Sequence, residues 1–308
     1  MILLVGALAD SLMAYICTCL IAKKADFIPM DARHYPEQLD LTWEREGDNL
    51  QGALRYGKRE VAITDIRAVY LRQITFPNRA PQVDTAYHGV AFDNGLAWSL
   101  TALIDILPIL VINRPYAIMS NMSKPYQQRI IAMSGFRTPR TLITTQPGDA
   151  AQFYKDCQGR VIYKSVSDQR SIVNRMTSED LKRLEQVRCC PTQFQECIAG
   201  NEVRVHTVGK QVFASEIVTD AVDYRYAWMN DTECRIRGIE LPDEIAERCV
   251  RLTTDLGLVI SGIDLRKTPE GEYYCFEVNP TPGFNYYQAF TGQRIGEALV
   301  ELLCNETS

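Results

Sequence analysis

Gly262-Ile263-Asp264-Leu265-Arg266-Lys267-Thr268-Pro269-Glu270-Gly271-Glu272-Tyr273-Tyr274-Cys275-Phe276-Glu277-Val278-Asn279-Pro280-Thr281-Pro282-Gly283 is the stretch on which the reading turns. Two apolar runs, Leu258–Lys267 and Glu272–Val278, flank the turn Thr268-Pro269-Glu270-Gly271 and read as paired strands. Residues two apart on a strand share a face. Glu277 and Asn279 therefore point the same way, and Asp264 joins them from the neighbouring strand. Three oxygen-bearing side chains on rigid strands, with positions left for water and phosphate, suit Mg²⁺. Spacing alone is equally consistent with ordinary strand polarity. The apolar flanks Ile263, Leu265, Phe276 and Val278 tilt the reading, because they bury the pair, and acidic groups facing one another there repel unless a cation joins them.

Upstream of this hairpin the chain is rich in strands. Gln193–Ile198, Glu202–Val208 and Gln211–Thr219 are separated by the turns Ala199-Gly200-Asn201 and Gly209-Lys210. Leu241-Pro242-Asp243 opens a helix that runs to Leu256 and closes at Gly257, and Gly292–Leu303 is the last helix. The extended segment Gln195-Glu196-Cys197-Ile198 exposes backbone groups able to read an adenine edge. Glu202, after a turn, places a carboxylate where ribose hydroxyls can meet it. Arg204 shares its face, and an ion pair between these two is the plainer reading.

Further back, Ser123 caps a helix over Lys124–Ser134 that stops at Gly135. A strand at Thr141–Thr144, a helix at Gly148–Cys157, a strand at Val161–Ser165, a polar loop at Ser165–Ser171 and a helix at Ser178–Val187 follow. Lys164 ends an apolar strand, where its charge can hold phosphate oxygens. Taken alone, Lys124 and Lys164 are solvated surface residues.

The first 113 residues open with a strand Ile2–Val5, a turn at Gly6, a helix from Asp10 to Lys24 and a strand Asp26–Met30: a β-α-β start to a parallel sheet. The apolar run Ile2–Ala22 resembles a signal or an anchor, but no Lys or Arg precedes it, and Gly6 and Asp10 interrupt it. No G-x-G-x-x-G follows the lone Gly6, so a dinucleotide site is not indicated. A hairpin is expected within Leu39–Glu60, strands at Ile66–Leu71 and Leu110–Asn113, and a helix at Asp93–Leu107.

The 308 residues are 46% hydrophobic and 23% charged, with net charge −5. That composition excludes a disordered chain and gives no basic excess for nucleic acid. Ten cysteines and three histidines show neither C-x-x-C pairs nor zinc spacing, and a chain of this length needs no disulfide staples. A reduced, cytoplasmic protein without a membrane span is expected.

In their order, Lys124, Lys164, Gln195-Glu196-Cys197-Ile198, Glu202-Val203-Arg204, Asp264 and Glu277-Val278-Asn279-Pro280 resemble the ATP-grasp ligases over about residues 113–303. Within them the pattern is similar to the ribosomal-protein glutamate ligases and the graspetide (microviridin-type) peptide macrocyclases. The resemblance implies an α/β chain, α+β in its C-terminal half, with an ATP-grasp fold behind a Rossmann-like first domain. The expected domains are 1–113, 114–190 and 191–308. It implies ATP and Mg²⁺ as cofactors, with Lys124 and Lys164 on phosphates, Glu196 and the backbone of Cys197 at adenine, and Glu202 at ribose. Arg204 and Arg225 would neutralise the transferring phosphoryl group, Asp264, Glu277 and Asn279 would hold the metal, and Pro282-Gly283 would border the acceptor pocket.

The implied reaction activates a carboxylate as an acyl phosphate, which an amine or hydroxyl then attacks, on a peptide or amino-acid substrate. Relatives are often homo-oligomers. A nucleotide-binding regulatory protein with a degenerate site and an ATP-grasp kinase without ligation are the competing expectations. Two departures stand out: Ser165–Ser171 lacks the glycine usual in the phosphate loop, and Thr281-Pro282-Gly283-Phe284 follows the glutamate-ligase form.

Overall fold

The computed structural model describes residues 1–31, 34–72, 86–166, 173–219 and 234–305. β1 (Ile2–Gly6) and β2 (Phe27–Asp31) are joined by the helix Ser11–Ala22. Asp10 caps that helix, its carboxylate accepting the N–H groups of Leu12 at 2.8 Å and Met13 at 3.3 Å. A meander of β3 (Leu39–Glu46), β4 (Asn49–Tyr56) and β5 (Arg59–Ala62) follows, one strand more than the expected hairpin. β6 (Ala68–Leu71), the helix Ala86–Ile106 and β7 (Leu110–Ile112) complete a parallel sheet of order β2-β1-β6-β7. Every residue of β1 is buried, as the near-continuous apolar run of an inner parallel strand requires. The N-terminal run is thus a strand and a capped helix. No described helix is long and apolar enough to cross a membrane.

The second sheet is antiparallel: β8 (Thr141–Thr144), β9 (Val161–Ser165), β10 (Asn174–Arg175) and β11 (Thr192–Glu196), in the order β10-β9-β11-β8. Phe153, Val161, Leu184, Val187 and Phe194 form its core. The helix expected over Ser178–Val187 is two pieces, a turn Ser178–Leu181 held by a Thr177–Asp180 capping box and a 3₁₀ segment Leu184–Cys189.

The third sheet holds β12 (Asn201–Val208), β13 (Gln211–Thr219), β14 (Cys234–Ile239), β15 (Ile260–Lys267) and β16 (Tyr273–Asn279), antiparallel in the order β14-β13-β12-β15-β16. Alternation splits its faces. Val203, Val205, Ile263, Leu265 and Val278 pack with Ile131 of the helix Lys124–Met133 and with Cys249 and Leu252 of the helix Asp243–Asp255. The opposite face carries Arg204, Asp264 and Glu277. Ile2 and Leu4 share a core with Val208, Ile260 and Leu299, so the first and third sheets are packed together through the helix Ile295–Asn305.

Candidate functional site

Strand register builds the centre of the site. Arg204 on β12 stands opposite Asp264 on β15, and Asp264 stands opposite Glu277 on β16. Directly opposed residues share a face, so the three form one row across the polar side of the sheet. Arg204 is 6% exposed, and its Nη1 lies 2.5 Å from Asp264 Oδ1. Lys164 Nζ reaches across from the second sheet to within 4.0 Å of Glu277 Oε2. The repulsion expected between the two acids is therefore offset from both ends of the row, by Arg204 and Lys164, before any metal binds. The register shifts between Asp264 and Leu265, which leaves Phe276 between paired residues, with Arg266 5.3 Å above its ring.

One position along the same face, Gly262 stands opposite Asn279 on one side and His206 on the other. A Cβ at Gly262 would lie 2.1 Å from Arg204 Nη2 and 2.7 Å from Pro282 Cβ. The glycine makes room for the guanidinium to reach Asp264. His206 is fully buried, 3.2 Å through Nε2 from the Gly283 carbonyl, with its ring 4.8 Å from that of Tyr287. Burial first, and the Arg204 charge second, push its pKa down to about 3. His206 is a neutral strand residue that holds a loop. Asn279 Oδ1 accepts the Thr281 N–H at 2.9 Å and, more loosely, the Thr281 hydroxyl at 3.5 Å.

The remaining predicted residues fall in several places. Lys124 opens the helix capped by Ser123, one turn before Gln127, whose amide bonds Val278 of β16 at 2.7 and 2.8 Å. Glu202 faces the same way as Arg204 but pairs with Arg266 instead, while Arg204 takes Asp264. The ion pair expected between Glu202 and Arg204 gives way to these two cross-strand pairs. Glu196 stands opposite Val161, on the side buried by Tyr163 and Phe194 and away from Lys164. The Cys197 N–H donates to the Arg160 carbonyl at 2.9 Å, so that amide is engaged and an adenine edge must use other groups of this segment. Arg225 and most of the loop Ser165–Ser171 lie outside the described residues.

Two side chains on β11 had no role in the sequence reading, where Gln195 entered only through its backbone. Gln193 stands opposite Lys164, and Gln195 lies two further along the same face. They are 2% and 1% exposed, and their side-chain oxygens have no partner among the described residues. Strand alternation in Thr192–Glu196 was the available signal: it sends Gln193 and Gln195 to the side of Lys164 and Glu196 to the other.

The donor set suits a hard cation and a polyphosphate. Two carboxylates on paired strands and an amide two residues on are oxygen ligands of the right kind. Lys164 and Arg204 flank them, and the orphan oxygens of Gln193 and Gln195 await donors such as an exocyclic amine or a hydroxyl. Among the described residues, no group of three or more His, Cys, Asp and Glu side chains offers an alternative metal centre.

Known proteins resemble the chain in sequence and in fold. Residues 122–303 match the RimK-like ATP-grasp domain, more than half of the chain, and the chain belongs to that family. The ATP-grasp ligase PsnB, solved with a phosphomimetic variant of a minimal precursor, Mg and ADP, is 27% identical. The match covers 100% of this chain and 98% of that one, with a TM-score of 0.82. Two others share the fold at lower identity. The macrocyclase MdnC of Microcystis aeruginosa MRC, bound with the precursor peptide MdnA, is 21% identical over 98% of this chain and 99% of that one, TM-score 0.82. A RiPP-associated ATP-grasp ligase of Chryseobacterium gregarium, in complex with ADP and a leader and core peptide, is 22% identical over 100% and 97%, TM-score 0.82. None of the curated proteins matches the chain.

Proposed function

We propose that this member of the RimK-like ATP-grasp family is an ATP-dependent, ADP-forming ligase that joins a carboxylate to an amine or hydroxyl on a peptide substrate. The row Lys164–Glu277–Asp264–Arg204 carries the reading: two oxygen-donor acids between two cations, open on one face of a rigid sheet. A carboxylate is a poor electrophile. Moving the γ-phosphoryl group of ATP onto it gives an acyl phosphate, whose phosphate then leaves when the acceptor attacks. The protein's part in such transfers is positioning and charge neutralisation.

Lys164 and Lys124 hold phosphate oxygens, and Arg204, with Arg225, meets the charge on the transferring group. Glu202, paired with Arg266, meets the ribose hydroxyls. The Gln195–Ile198 segment, with the buried oxygens of Gln193 and Gln195, receives the base. Asp264, Glu277 and Asn279 hold Mg²⁺, which supplies charge to the phosphoryl oxygens. No Ser–His or Cys–His nucleophile is needed, consistent with the neutral, buried His206. The nine cysteines whose side chains are described are free thiols, which fits a cytoplasmic setting. We divide the chain at 113/114 and 190/191, the second cut falling just before β11, which pairs with β8 and β9 of the second sheet.

The peptide substrate is proposed from PsnB, whose structures hold precursor peptides. The test is ADP release and product mass with Mg-ATP and a panel of peptides bearing Asp or Glu together with Lys, Ser or Thr. Peptide-dependent ADP release with loss of water marks cyclisation, and added mass marks ligation. ATP binding without either outcome would return the chain to the regulatory reading, and stable phosphorylation of the peptide would make it a kinase.

A further inference from the structure

The loop that follows Asn279 is held by its carbonyls. Asn113 Nδ2 donates to Pro280 O at 2.5 Å, Arg72 Nη1 to Thr281 O at 3.4 Å and Pro282 O at 3.3 Å, and His206 Nε2 lies 3.2 Å from Gly283 O. Pro280 and Pro282 have no N–H, so side chains rather than a ladder must fix this segment. Two of the three anchors come from the first sheet. Arg72 follows β6 and Asn113 follows β7, at the carboxyl ends of parallel strands, where such sheets open their crevice.

Arg72 is itself fixed. Its Nε lies 3.1 Å from Asp10 Oδ2, with the two side chains 11% and 24% exposed, and Asp10 is the cap of the first helix. Gly6 permits the approach: a Cβ there would lie 2.2 Å from the Arg72 carbonyl oxygen. The lone glycine of the first turn thus has a packing role. On the other side of the loop, Pro282 and the Arg204 guanidinium share the space above Gly262. Arg72 thus bonds both Asp10 and the Pro282 carbonyl, and Pro282 borders the same space over Gly262 as the guanidinium of Arg204, which holds Asp264.

We propose that Arg72 is a positioning residue for phosphoryl transfer: it sets Pro282, and Pro282 sets the wall against which Arg204 reaches Asp264. The catalytic consequence rests on the ligase reading; the restraint of the loop does not. A guanidinium is required, because its Nε edge serves Asp10 while Nη1 serves two carbonyls. A lysine keeps the charge but offers a single point.

Arg72→Lys is compared with wild type and with Arg55→Lys, a remote exposed control. Hydrogen exchange of the ligand-free protein is followed over residues 281–287, together with the thermal melt, Mg-ATP affinity and steady-state kinetics on a peptide found as above. In Arg72→Lys, amides of 281–287 exchange faster while the melt and the KM for ATP stay near wild type. The kcat falls by about 10²-fold, the cost of a small misplacement at a reacting centre. Should Arg72→Lys fail to fold, Asp10→Asn, which releases one edge of Arg72, gives the same two effects in smaller measure. A folded variant with unchanged exchange overturns the proposal, as does faster exchange with unchanged kcat. A wild-type protein that turns over no peptide sinks the ligase reading instead, and the exchange result alone then decides whether Arg72 holds the loop.

Discussion

Two acids face each other at Asp264 and Glu277, yet each has its own cation, and this changes what a substitution does. Glu277 is 33% exposed on its side chain and 4.0 Å from Lys164, a distance and exposure at which an ion pair contributes little. Glu277→Gln keeps the shape and removes one charge. Its melt should shift by no more than about 0.5 kcal/mol equivalent, while Mg-ATP turnover falls by about 10²–10³-fold as charge compensation at the phosphoryl group is lost. Paired melts and ADP-release assays read both, and wild-type turnover would remove Glu277 from the site. Gly262→Ala is the complementary case. Its methyl would stand 2.1 Å from Arg204 Nη2, so Arg204 must leave Asp264 while the carboxylates stay. Turnover should fall by about 10²-fold, as for other small displacements of reacting groups, with Mg²⁺ affinity, read by calorimetry in the presence of ADP, little altered.

At the scale of elements, β16 is the edge of the third sheet, and an open edge must be covered. Gln127 covers it as a stand-in strand residue: its Nε2 donates to Val278 O at 2.7 Å and its Oε1 accepts Val278 N–H at 2.8 Å. Arg137 O takes the Cys275 N–H at 2.9 Å further along. Gln127→Leu would strand both groups of Val278 in a buried place, and a loss of about 2 kcal/mol is expected by chemical denaturation. Rescue by Gln127→Glu at low pH, where the neutral acid again donates and accepts, would identify the cause. None of this was legible in the sequence, where Gln127 is one polar residue of an amphipathic helix. β12, β13, β15 and β16 were legible because apolar alternation and Gly turns agree there. β14 and the helix Asn285–Thr291 were not. Arg235-Ile236-Arg237 alternates as an exposed edge strand does, too briefly to stand out, and Asn285–Thr291 is aromatic-rich and short, without a capping side chain.

Across the whole molecule, the facing of Asp264 and Glu277 could be read from the sequence, since spacing along paired strands fixes faces, whereas Arg204 was expected on Glu202 and is found on Asp264. The anchors of the loop after Asn279 could not be read so, because Arg72, Asn113 and His206 meet there from two sheets and only three-dimensional packing joins them. His206 is the anchor whose chemistry reaches global stability. Its pKa in the fold, about 3, lies below its ordinary 6.5 because burial and the Arg204 charge oppose the cation. Between these values the unfolded chain binds a proton that the folded chain refuses, so the folded state loses stability as pH falls below about 6.5 and regains it on return. The slope owed to one proton is about 1.4 kcal/mol per pH unit. His206→Gln keeps an N–H for the Gly283 carbonyl and removes the titration. Denaturation midpoints measured from pH 7 down to pH 5 should therefore fall less steeply in His206→Gln than in wild type, by about one proton's worth. The Gln variant should also retain the slow exchange of residues 281–287, which His206→Ala loses. Parallel pH curves for wild type and His206→Gln would mean that His206 takes up its proton in the fold over the same pH range as in the unfolded chain, against the burial argument.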